Sequence, residues 1–160
     1  MRLTIICSAI AMLVGCGGDS AGKYTSTMVF APSPAPTTQL VPSVLPLTPF
    51  GAVCSTPHGF RWTTAFDLVV ITTSDLADLS MDQVTFRLIS GESVGGPSIT
   101  FPKPQLADMF GTTVVARQGV FPFRLDFGCQ AVRPRSIATH VVLVDRTGTR
   151  KIIESSAGFE

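Results

Sequence analysis

The sequence predicts an all-β fold, an antiparallel β-sandwich of about seven to eight strands, and three observations predict it. After Phe50, short apolar runs rich in Val, Ile, Phe and Thr recur at a spacing of about ten residues, with Gly, Pro, Asp and Ser between them. Several runs alternate apolar with polar residues, the period of a strand with one buried face. Charged residues make up only 14% of the chain against a usual figure of about 25%. That low value, together with eleven Phe, points away from charged helical bundles and toward a packed core.

Each element has its own signal. The run Phe66 to Thr73 (FDLVVITT) is β-branched and apolar without a helical stripe, which suits a well-buried strand. Val84, Phe86 and Leu88 alternate with Thr85, Arg87 and Ile89, so the first three should face the core. Ser90 to Pro97 (SGESVGGP) carries turn chemistry, and Ser98 to Phe101 restarts an extended run. Thr112 to Ala116, Phe121 to Cys129, Ile137 to Val144 and Arg150 to Glu154 complete the series. The last two flank Asp145-Arg146-Thr147-Gly148, where the Gly is the expected left-handed residue of a hairpin with a bulge. Ser74 to Ser80 and Pro104 to Gly111 are each long enough for a helical turn. Neither changes the class.

The N-terminus reads as an address. Met1 and Arg2 make a basic start, and Leu3 to Val14 is apolar except for Thr4 and Ser8, after which Gly15, Cys16, Gly17, Gly18 and Asp19 end the run. A membrane-spanning helix needs about 20 apolar residues, so this run has the length of a signal-peptide core. The junction Leu13-Val14-Gly15-Cys16 resembles a bacterial lipobox. That resemblance implies a signal peptide over residues 1–15, a diacylglycerol on the Cys16 sulfur, and N-acylation of its amine in most diderm bacteria. At about 0.8 kcal/mol per buried CH₂, two or three chains hold a protein on a membrane where one binds only marginally. Gly17 in place of Asp after the lipidated cysteine argues for the outer membrane of a diderm cell. An ordinary signal peptide cut near Gly15 is the alternative.

Residues 16–50 read as the lipidated N-terminus and a flexible linker, and residues 51–160 as the sandwich domain. Six prolines fall between Ala31 and Pro49 (Pro32, Pro34, Pro36, Pro42, Pro46, Pro49). Proline lacks an N–H and fixes φ, so the stretch favours an extended tether and excludes helix. A second reading has Leu40, Val41, Val44, Leu45 and Leu47 docking as a first edge strand, where Pro is tolerated.

Of the four cysteines, Cys7 leaves with the signal peptide and Cys16 accepts lipid, which leaves Cys54 and Cys129. In an exported domain the pair invites a disulfide closing a 75-residue loop. Two free buried thiols are the alternative. Cys54, Trp62 and Cys129 fall in the order Cys, Trp, Cys, and in this the domain resembles an immunoglobulin-like sandwich. It departs from the antibody pattern in two places: Trp62 follows Cys54 by eight residues, and Phe127 stands where a tyrosine corner would put Tyr. The resemblance implies architecture and carries no catalytic residue.

The search for chemistry returns little. His58 lies in the turn-like Thr56-Pro57-His58-Gly59, and His140 lies on the polar face of an alternating strand. A triad composed of His140, Asp126 and a serine lacks any G-x-S-x-G elbow. Asp75, Asp78 and Asp82 do not follow the DxDxDG order of a calcium loop and fit better as a turn capped by Ser74. No metal or cofactor is expected. Arg133, Arg135, Arg124 and Arg117 could rim an anion site, although the ten Lys+Arg after Gly51 face ten Asp+Glu and give no overall field for nucleic acid. The chain has no Asn, so left-handed turn positions fall mainly to its 14 Gly.

These readings converge on a membrane-tethered lipoprotein of the bacterial cell envelope whose sandwich binds or scaffolds something without catalysis. Its partners would be the membrane, through the lipid, and an envelope protein. An assembly accessory offering an edge strand is the second reading, with the proline-rich region or Ile99-Thr100-Phe101 as its site. A small secreted enzyme is the third.

Overall fold

The computed structural model describes residues 35–49, 54, 59–72, 79–90, 96–115 and 117–160. Among these residues it is an all-β sandwich of two packed sheets with one short helix, and seven of the described strands are five residues or longer. The first sheet is built on β4 (Phe60–Ile71), which pairs with β8 (Gln118–Gln130) on one side. Along the other side of β4 lie β1 (Thr37–Val41) and, further along, β3 (Thr48–Pro49). The second sheet runs β2 (Val44–Leu45), β10 (Arg150–Phe159), β9 (Ser136–Val144), β5 (Leu79–Ile89), β6 (Ser98–Pro102), with β7 (Val114–Val115) beside the start of β5. All pairings are antiparallel except the two-residue contact of β2 with β10.

The alternating sequence pattern explains which faces close on each other. Val84, Phe86 and Leu88 of β5 are fully buried, as expected, and meet Phe121, Phe123, Leu125 and Phe127 of β8 and Phe66, Leu68 and Val70 of β4 in one cluster. Aromatic rings dominate the contact. Phe66 and Phe86 stand edge to face with centroids 5.2 Å apart, and Phe101 tilts against Phe123 at 5.2 Å. Such pairs add about 0.5–1.5 kcal/mol beyond their area.

Two short segments close the open sides of the sandwich. After β6, helix α1 (Lys103–Phe110) carries Leu106 into the core and sets Phe110 at 5.3 Å from both Phe121 and Phe123 of the opposite sheet. It begins with Pro in its first turn and ends at Gly111, whose φ of 72° lets the chain turn left-handed and donate its N–H to the Ala107 carbonyl. On the other side the chain passes from β1 in the first sheet to β2 in the second and back to β3. This stitch buries Leu40 and Leu45.

The stitch moves a boundary. The sandwich begins at Thr37, so residues 37–49 belong to it and not to the linker assigned to residues 16–50. The docked reading of Leu40 and Leu45 is the one the fold adopts. Proline does not prevent it, because β1 and β3 lie at a sheet edge, where one side of the strand needs no ladder donor.

Other elements differ in extent. β4 starts at Phe60, six residues before the run visible in sequence, because a register shift between Arg61 and Thr63 breaks the alternation there. β10 continues to Phe159 although its outer residues are polar. Leu79 and Ser80 lie in β5, and the rest of the turn expected from Ser74 onward, residues 74–78, lies outside the described residues. At the β9–β10 hairpin Gly148 has φ 85°, the left-handed conformation expected of it.

Candidate functional site

Cys54 and Cys129 stand at disulfide distance, with Cα atoms 6.0 Å apart. They do not pin one sheet to the other. Cys54 precedes β4 and donates its N–H to the Gly59 carbonyl, while Cys129 pairs with Arg61 on the adjacent strand, so the link runs along one sheet. Trp62 lies on the same strand, tilted against Phe60 at 5.9 Å. The Cys, Trp, Cys order therefore arises here from a different arrangement than the inter-sheet pin of antibody domains.

Several sequence candidates do not converge. His140 faces outward from β9 in the second sheet, whereas Asp126 lies on the outer face of β8 in the first. A whole sandwich separates them, so they form no catalytic pair. Asp126 instead receives two hydrogen bonds from Arg61 Nε, 2.9 and 2.7 Å, and one from the Gly128 N–H at 2.9 Å. The guanidinium bonds hold its carboxyl below the usual carboxylate range. Asp82 is paired with Arg150. His58, Asp75 and Asp78 lie outside the described residues. Arg133 donates to the Glu160 carbonyl, and Arg124 sits mid-strand on the outer face of the first sheet, so these two arginines are not brought together. Among the described residues no group of three His, Cys, Asp or Glu could hold a metal ion, and no helix is long and apolar enough to cross a membrane.

One surface does bring polar groups together. On the outer face of the second sheet, residues of β5, β9 and β10 line an open concavity of ≈ 570 Å³. Strand register sets the layout in rows. Thr100, Thr85, His140 and Glu154 cross the sheet side by side, and the next row is Ser98, Arg87, Ala138 and Ser156. Ala138 and Ser156 are short, so the sheet surface is low there, while Arg87, Ile89 and His140 rise around it.

The first row is already ordered. His140 Nε2 lies 3.4 Å from Glu154 Oε1, and both side chains are substantially exposed, so the contact orients the ring more than it stabilises the fold. Gln83 Nε2 donates to Thr85 Oγ1 at 3.1 Å, and Thr85 shares a 3.0 Å hydrogen bond with Thr100. Arg87 is different. It has no hydrogen-bond or ion-pair partner among the described residues, and its guanidinium stands beside the low floor at Ala138. Beneath the floor the hydroxyls of Thr139 and Ser155 are buried without a partner. Sequence alternation showed that His140 faces out, but not that Arg87 and Glu154 share its surface, because strand adjacency is needed for that.

Comparison with known proteins adds little. No family model matches the chain, and no curated protein matches it. A solved structural-genomics structure, titled Northeast Structural Genomics Consortium target SoR45, is similar at 6% identity with a TM-score of 0.45, covering 76% of this chain and 86% of that one.

Proposed function

We propose that this protein is a lipoprotein of the bacterial cell envelope, held on the membrane through acyl chains on Cys16, whose sandwich serves as a non-enzymatic binding or scaffolding module. The observation that carries the reading is Leu13-Val14-Gly15-Cys16 immediately after an apolar stretch of signal-peptide length. The rest of the chain is consistent with that address. Cys54 and Cys129, at disulfide distance, suit an oxidising compartment. Residues 17–36 separate the lipid from the first strand, and a chain of that length spans about 25 Å as coil, enough to hold a domain off the headgroups. The outer membrane is the destination in a diderm cell, given Gly17 after the acylated cysteine.

The test is fractionation and metabolic labelling with a fatty acid, comparing the natural chain with Cys16→Ser. Label on the first and none on the second supports the reading. Equal behaviour of both overturns it.

The alternative of an assembly accessory would use an edge strand. Ile99, Thr100 and Phe101 lie in β6 at the outer edge of the second sheet, and β1 and β3 of the proline-rich segment lie at an edge of the first, so each run has one strand side in a ladder and one at an edge. A stoichiometric envelope partner lost on Thr100→Pro would favour this role over passive scaffolding.

A further inference from the structure

We infer that the concavity on the outer face of the second sheet recognises a hydroxyl-rich ligand bearing a carboxylate, the chemistry of an acidic sugar within a glycan chain. The inference deepens the binding role proposed above and rests on it.

Three observations select this chemistry. Among the described residues Arg87 has no partner, and its guanidinium stands beside a floor lowered by Ala138 and Ser156, so an oxyanion can approach its donors along the sheet. A planar guanidinium matches a carboxylate in two-pronged fashion. On the far wall Glu154, held by His140, can only accept hydrogen bonds when ionised, which suits ligand hydroxyls and repels a second negative charge. Polyanions such as nucleic acid or polyphosphate are therefore poorly matched. Thr85, on the same strand as Arg87, lines the concavity and is hydrogen-bonded to Gln83 and Thr100 beside it, a set of side-chain hydroxyls and amide of the kind that pairs with sugar hydroxyls.

Spacing supports an extended ligand. Arg87 and Glu154 are separated by two strand intervals and two residues along the strand, roughly 12 Å between Cα atoms on ordinary sheet dimensions. That is wider than one hexose ring. The concavity is open at its ends, so a chain can lie across it. Among the described residues that line it none is aromatic except His140, so these offer no Trp, Tyr or Phe platform for stacking a neutral sugar. Affinity must then come from the charge on Arg87.

The experiment is calorimetric titration of the full-length protein with aldotriouronate, a trisaccharide bearing one carboxylate, with cellotriose and inorganic phosphate as comparison probes. Saturable binding of aldotriouronate is expected, weakened about tenfold or more in Arg87→Gln, since a hydrogen bond to a charged group is lost. Ala138→Leu, which fills the floor, should weaken it as well, and Arg124→Gln on the opposite face should leave it unchanged. Thermal melts confirm that each variant is folded. No saturable binding, or binding indifferent to both Arg87→Gln and Ala138→Leu, overturns the inference. Equal binding of cellotriose overturns the carboxylate requirement, and equal binding of phosphate overturns the sugar. Because lipidation is read separately by Cys16→Ser, failure here with acylation intact removes the ligand and leaves the tethered lipoprotein standing.

Discussion

Phe86 of β5 and Phe123 of β8 meet edge to face across the two sheets, with ring centroids 4.8 Å apart and planes at 67°. Phe86 also contacts Phe66 and Phe101, so one ring joins both layers and the outer strand β6. Its fully buried position makes it the most exacting place to truncate the core. Phe86→Ala should destabilise the domain by about 3–5 kcal/mol, the transfer loss plus the cavity left behind. Chemical denaturation measures this, and a change under about 1 kcal/mol would place the ring outside the core.

Leu45 and Val44 form a sharper pair for the proline-rich segment. Leu45 is fully buried while Val44 is 52% exposed, one residue away on the same two-residue strand. Leu45→Ala should cost about 2–5 kcal/mol, and Val44→Ala less than about 1. Similar small effects at both positions would return residues 37–49 to the linker.

Acid should act through Asp126. Its carboxyl is held low chiefly by the Arg61 side chain, so its native state keeps a charge that the unfolded chain loses sooner as pH falls. The stability it contributes is present above the ordinary carboxylate range and disappears as pH drops through that range toward its lower native value. Asp126→Asn should therefore flatten the acid limb of the melting profile while leaving the difference from the natural chain constant above neutrality. An unchanged acid limb would remove the role. Asp145 is held low too, first by the Thr147 hydroxyl, so the double variant Asp126→Asn with Asp145→Asn should be flatter still.

The cysteines supply a separate check. Thiol labelling of native protein from the envelope should leave Cys54 and Cys129 unmodified until reductant is added, after which both react. Reduction should lower stability by about 2–5 kcal/mol, the usual range for a small exported domain. Labelling of both without reductant would show free thiols.

The strands that read most clearly in sequence are those with one buried face. Alternation along Val84 to Leu88 and Phe121 to Phe127 names the buried residues, because side-chain direction in a strand has a period of two. Alternation fails where the backbone departs from it. The register shift at Arg61 hides the start of β4, and the prolines of residues 37–49 hide β1 to β3, whose pairing depends on edge positions that only the assembled sheet defines. The candidate site is less legible for a related reason. Arg87, His140 and Glu154 are 53 and 14 residues apart in sequence, and only the order β5, β9, β10 makes them neighbours. The Cys, Trp, Cys order was visible, yet spacing alone does not say whether such a link crosses between sheets or runs along one.

Acylation at Cys16 is read most directly from the intact mass of the protein extracted from membranes of its own or a related bacterium, before and after reduction. A lipoprotein with the Cys54–Cys129 bond gives a chain beginning at Cys16 with two or three acyl groups, gaining two hydrogens on reduction. An unacylated chain cut elsewhere, released from the membrane without detergent, would contradict it.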